Sequence, residues 1–158
     1  ADSAPRPLLA ESYDELQPSI SPDGRWLAYV SSETGAREVF VRPFPEVDQG
    51  KWQISQGGGQ SPLWSPDGRE LFYRSENNTI EVADMARGPA QAAHRVVLRT
   101  PAGTSFELNN SDRMFDVSRD GRRFLVNTQG VGDRSGDLVV VENFITELRA
   151  ALAAGNGP

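Results

Sequence analysis

The chain has 158 residues, 37% of them apolar and 24% charged, with a net charge of −6 and no cysteine. That length and apolar share can bury one core, while the negative balance opposes nonspecific attraction to nucleic acid or anionic lipid, and the lack of cysteine removes disulfides and thiolate metal sites. No run approaches the apolar length of a membrane helix and no signal-peptide core opens the chain, so direct membrane insertion is not expected.

From the N-terminus, residues 1–5 read as a flexible leader. Residues 6–10 (Arg-Pro-Leu-Leu-Ala) read as a short outer strand. Pro7 confines it to a sheet edge, because proline lacks the N–H that a central strand donates. A strand at 18–21 then enters Ser21-Pro22-Asp23-Gly24, and an apolar strand follows at 26–31. Pro22 presets φ for a type I turn, Asp23 can accept nearby backbone N–H groups, and Gly24 takes the left-handed step that closes a bulged hairpin. Further strands are expected at 38–44, where Val39 and Val41 alternate with other residues, and at 52–56, where Trp52 and Ile54 do.

The pattern then restarts. A strand at 62–65 enters Ser65-Pro66-Asp67-Gly68, and strands follow at 71–75, 79–85 and 95–100. A degenerate third copy, Ser118-Arg119-Asp120-Gly121, lies between strands at 114–118 and 124–129, with one more strand at 138–142 and no fourth. Ser21 and Ser65 are 44 residues apart, and Ser65 and Ser118 are 53 apart. Such a period suits four-stranded propeller blades. Aligned on the turns, Leu27, Leu71 and Phe124 coincide, as do Tyr29, Tyr73 and Val126.

The expected fold is therefore all-β: three four-stranded β-propeller blades, half of a six-bladed propeller, spanning 6–143 with blades at about 17–56, 61–100 and 112–143. Residues 144–154 carry strong helix formers with apolar side chains at 144, 145, 148 and 152 and Asn143 as a cap. They predict a short C-terminal helix before a flexible tail at 155–158.

The run from Gln17 through Ser21-Pro22-Asp23-Gly24 to Ser31 resembles a TolB-like, or WD40-like, β-propeller repeat, as do Val39 to Pro45, Lys51 to Ser55 and Gly68 to Tyr73. The ending Phe115-Asp116-Val117-Ser118, Arg123 to Asn127 and Val139 to Phe144 is similar to the C-terminal propellers of bacterial eukaryotic-like serine/threonine kinases. This resemblance implies the extracytoplasmic side of a bacterial envelope. The chain departs from its multidomain relatives in having no kinase glycine-rich loop, His-Arg-Asp or Asp-Phe-Gly element, and no Gly-x-Ser-x-Gly nucleophile elbow.

Several features invite functional readings and favour structural ones. Arg113, Arg119, Arg122 and Arg123 read as solvated or ion-paired residues at hairpin ends. His94, the single histidine, reads as a surface residue at a strand entry, since one histidine builds neither a multi-histidine metal site nor a triad without a nucleophile motif. Asp23, Asp67 and Asp120 belong to separate turns, whereas a calcium loop gathers its oxygens in one. Trp26, Trp52 and Trp64 are expected to fill space between blades. Gly57-Gly58-Gly59 lacks the helix and Lys-Ser or Lys-Thr pair of a phosphate loop and reads as a linker.

Three blades cannot close a ring, and an open half exposes apolar faces and strand edges. A two-fold homodimer, with residues 6–10 exchanged to complete the partner's third blade, is the simplest cover. The channel mouth, built from connections between blades and from loops between second and third strands, is the place for a ligand. Its candidate binding residues are Tyr13, Asp14, Glu15, Gln60, Glu107, Asn109 and Asn110. No catalytic residue, metal ligand set or cofactor is indicated. The expected function is a noncatalytic module that binds protein or ligand, the sensor portion of an envelope kinase-like protein. The alternative is an enzyme of lyase or hydrolase type whose site forms only at the assembled channel.

Overall fold

A computed structural model describes residues 5, 7–100, 104–106, 115–121, 123–130 and 136–142. The first antiparallel sheet is ordered β1 (Glu15–Ile20), β2 (Trp26–Ser31), β3 (Glu38–Pro43) and β4 (Trp52–Gln53). The second is ordered β5 (Gly59–Trp64), β6 (Glu70–Ser75), β7 (Thr79–Asp84) and β8 (Ala93–Arg99). In the third, β9 (Thr104–Phe106) and β10 (Phe115–Val117) share one edge of β11 (Arg123–Gly130), and β12 (Gly136–Glu142) takes the other. The all-β, three-blade architecture expected from the repeats is thus observed.

The innermost strands start earlier than their sequence suggests. Expected from 18 and 62, they begin at Glu15 and Gly59, because pairing continues across a bulge: Leu16 opposes Val30 and Ser19 opposes Ala28, while Gln60 opposes Arg74 and Leu63 opposes Phe72. Pro18 and Pro62 fall inside the bulges, where the missing N–H removes no ladder bond. The preceding residues, Gln17 and Ser61, take left-handed φ values of 52° and 54°.

The third blade uses the same position differently. The partner of Ser31 or Ser75 lies six residues before its turn serine, but Phe106, the partner of Thr128, lies twelve before Ser118. The third blade therefore has six more residues between these two positions than the other blades. That insertion accounts for most of the longer second repeat.

The outer strand of the first blade is shorter than the expected 52–56. The Ser55 hydroxyl accepts the Val39 N–H at 2.7 Å and so replaces a ladder bond. Residues 7–10, read as an outer strand, form none within this chain; Leu9 instead packs against Leu27, Tyr29, Phe40 and Val47 of its own first blade. In the third sheet no strand pairs with the outer edge of β12 among the described residues. The expected helix at 144–154, the tail at 155–158 and residues 1–4 of the leader lie outside the described residues.

Alternating side chains send each sheet's two faces to different neighbours. Ala28, Val30, Val39 and Val41 of blade 1 meet Trp64, Leu71, Tyr73 and Ala83 of blade 2. Phe72, Ile80, Val82 and Val97 on the other face of blade 2 meet Phe106, Phe115, Phe124 and Val126 of blade 3. Trp64 lies inside the first interface; Trp26 and Trp52 pack against the same cluster and meet each other edge to face, 5.7 Å between centroids.

Candidate functional site

The three signature turns share one hydrogen-bond relay. The Ser21 hydroxyl donates to Asp23 Oδ1 at 2.6 Å and accepts Trp26 N–H at 2.9 Å. Ser65 repeats this with Asp67 at 2.7 Å and Glu70 N–H at 2.9 Å, and Ser118 with Asp120 at 2.5 Å and Arg123 N–H at 3.0 Å. Donation by Ser21 and then by Arg25 lowers the Asp23 carboxyl to about 2. These aspartates are held by their own turns, and no group of three His, Cys, Asp or Glu side chains that could hold a metal gathers among the described residues.

The turns sit at one end of the blades and the candidate mouth at the other. There the ends of β2 and β6 meet the starts of β1 and β5. The Asp14 backbone is fixed by Ser32: its N–H donates to the Ser32 side-chain Oγ and its carbonyl accepts Ser32 N–H, both at 3.2 Å. Glu15 opposes Ser31, and burial followed by the nearby Glu11 raises its carboxyl above the usual range. Tyr13 is exposed beside them. Gln60 stands one blade along, and Glu107, Asn109 and Asn110 lie outside the described residues. The structure thus brings Tyr13, Asp14 and Glu15 together on blade 1 and places Gln60 on blade 2.

The first two innermost strands are stitched directly. Ser61 N–H donates to Gln17 Oε1 at 2.8 Å, and Trp64 Nε1–H donates to the Ser19 carbonyl at 3.1 Å. Both bulge residues therefore serve the blade contact as well as the strand path.

Three buried charges were not singled out from sequence. Glu38 accepts Gly57 N–H and Gly58 N–H at 2.9 Å each and takes the Ser55 hydroxyl on its other oxygen. The glycine run is therefore a connection shaped around a carboxylate of its own chain. Arg42 donates to Tyr29 Oη at 2.8 Å, Glu11 Oε1 at 3.0 Å and the Val47 carbonyl at 3.3 Å. Arg74 is the third. It is only 3% exposed, opposes Gln60, and its Nε is buried with no hydrogen-bond partner. The available signal was an arginine at a ladder position that holds Val30 in blade 1 and Asn127 in blade 3.

His94 is exposed on β8, edge-on to Tyr73, with Tyr73 Oη 3.3 Å from its Nδ1. Tyr73 donates to Glu81 at 3.0 Å, and burial followed by Glu81 pushes its phenol up. Arg119 and Arg123 are exposed, as a solvated reading requires; Arg113 and Arg122 lie outside the described residues.

The outer faces of the end blades form the larger feature. On blade 1 an apolar groove of about 550 Å³ is lined by Leu8, Leu9, Leu16, Ile20, Leu27 and Phe44. On blade 3 Leu125, Leu138 and Val140 are exposed.

No protein-family model matches the chain. It is 32% identical over 75 residues to the Tol-Pal system protein TolB of Ruthia magnifica subsp. Calyptogena magnifica, covering 47% of this chain and 18% of that protein. It is 34% identical over 65 residues to TolB of Alcanivorax borkumensis, covering 40% and 15%. The chain thus spans less than a fifth of the curated relatives it matches. Among solved structures, a puromycin-hydrolyzing peptidase of Mycobacterium tuberculosis aligns with TM-score 0.65 and 22% identity over 87% of this chain and 22% of that one. Oligogalacturonate lyase from Vibrio parahaemolyticus gives 0.60 and 15% over 78% and 32%. A TolB from Agrobacterium tumefaciens gives 0.58 and 12% over 85% and 47%. These likenesses support a TolB-like β-propeller fold, shared by proteins of different activity.

Proposed function

We propose that this TolB-like half-propeller is a noncatalytic recognition module that binds protein or ligand at the mouth of a six-bladed ring completed by a second copy. The observation that carries this reading is the repeat equivalence of the open faces. Leu125, Leu138 and Val140 hold in blade 3 the ladder positions of Phe72, Ile80 and Val82 in blade 2. Leu138 is 71% exposed whereas Ile80 is fully buried. At the other end, Ile20 holds the position of Trp64; Ile20 is 50% exposed and Trp64 6%. The outer face of blade 3 is thus of the kind that the outer face of blade 1 receives in an internal interface. Two such contacts related by a two-fold axis would close the ring.

Leu8 and Leu9 occupy the groove that the partner's blade 3 would fill. Residues 6–10 would leave it and add to the free edge of the partner's β12. Resemblance to kinase-associated propellers favours a sensor role on the extracytoplasmic side of an envelope.

The chain has no native cysteine, which permits a direct test. Ile20→Cys protein mixed with Leu125→Cys protein should cross-link into mixed dimers, with less product from either variant alone. Equal product from each variant alone would contradict this pairing.

A further inference from the structure

A buried charge is tolerated when partners replace the water it has lost, and it is costly otherwise. Among the described residues Glu38, Arg42 and Arg74 are the buried charged side chains. Glu38 takes three donors and Arg42 reaches three acceptors. Arg74, the most buried of the three, makes no such bond to any described residue, and its Nε is orphaned.

The surroundings of Arg74 add a second orphan. Gln60 opposes it across β5 and β6, and the next residue, Ser61, has a buried hydroxyl with no partner. Ser61 is held in its left-handed conformation while its N–H donates to Gln17. Arg74 follows Phe72 by two residues, so both project from the face of β6 that meets blade 3. This level of the sheet is the mouth end, next to the connection at 76–78. Burial pulls the guanidinium below its ordinary value, with Glu76 opposing.

We propose that Arg74, with Ser61 and Gln60 beside it, forms a binding site for an oxyanion group, a carboxylate or phosphate, reached from the mouth end of the contact between blades 2 and 3. The guanidinium offers a planar fork of donors matched to two oxygens, and the Ser61 hydroxyl and Gln60 amide add neutral donors. Binding would supply the partner that the fold leaves out. This site needs only one chain and stands apart from the pairing of half-rings.

The test uses the intact 158-residue chain with inorganic phosphate and acetate as probes, against chloride at matched ionic strength. The Arg74 Nε–H resonance, assigned by its loss in Arg74→Lys, should move and saturate with one probe or both, and the more effective probe identifies the oxyanion. The same probe should raise the melting temperature of the wild type but not that of Arg74→Met. Ser61→Ala should weaken binding about tenfold. A resonance that ignores both probes would overturn the site, showing a guanidinium already paired within the chain or closed to solutes. An equal melting shift in Arg74→Met would also overturn it, and the resonance decides the matter should that variant fail to fold.

Discussion

Phe72 and Phe124 meet edge to face across the boundary between blades 2 and 3, with centroids 5.5 Å apart and planes at 78°. Leu125, the next residue along β11, repeats the ladder position of Phe72 on the opposite face of its sheet. The same position is therefore core in one blade and surface in the next. Phe72→Ala should cost about 3–5 kcal/mol, since it empties a buried aromatic site. Leu125→Ala, starting from 37% exposure, should cost the isolated chain much less and weaken self-association instead. Urea denaturation at low protein concentration separates the two.

Gly59→Ala should destabilise the chain by about 1–3 kcal/mol, the usual cost of overpacking. A Cβ there would stand 2.2 Å from Ser55 Oγ and 2.5 Å from Ser55 Cβ, so it would push on the hydroxyl that joins Glu38 to Val39 N–H. Gly57, with open space around its missing Cβ, should be affected only through its positive φ of 79°. Denaturation midpoints of the two alanine variants provide the comparison.

Ser65→Ala should cost about 1–3 kcal/mol, because it removes the acceptor of Glu70 N–H and the donor to Asp67 at a buried position. Ser118→Ala removes the same pair of bonds from a more exposed turn and should cost less. Thermal melts of both variants give the order.

The repeats made the fold legible because each turn announces itself chemically: proline, aspartate and glycine in fixed order leave few alternatives to a hairpin. The bulges were not legible. Gln17 and Ser61 carry no composition cue for a left-handed residue, and Pro18 and Pro62 suggested strand starts when they sit within strands. The mouth was located from connectivity alone; Asp14, Glu15 and Gln60 stand at the end of the blades opposite the signature turns. Arg74 was missed because its charge suggested solvent, whereas in the folded chain it is buried.

Stability should fall as pH drops from about 4 toward 2. The Asp23 carboxyl holds its proton more weakly when folded, at about 2 against 3.8 for a free side chain, so its contribution is present above the unfolded value and lost as the folded form protonates. Asp67 is lowered in the same direction, first by Ser65 and then by Arg69 N–H. Asp23→Asn should flatten this part of the profile, measured as melting temperature against pH.

The closure of two half-rings is tested most directly by absolute mass from light scattering coupled to size exclusion, over a range of protein concentrations. Pairing of the open faces predicts a particle close to twice the 17.3 kDa chain, reduced toward one chain by Leu138→Glu. A 17.3 kDa particle at every concentration for the wild type would contradict it.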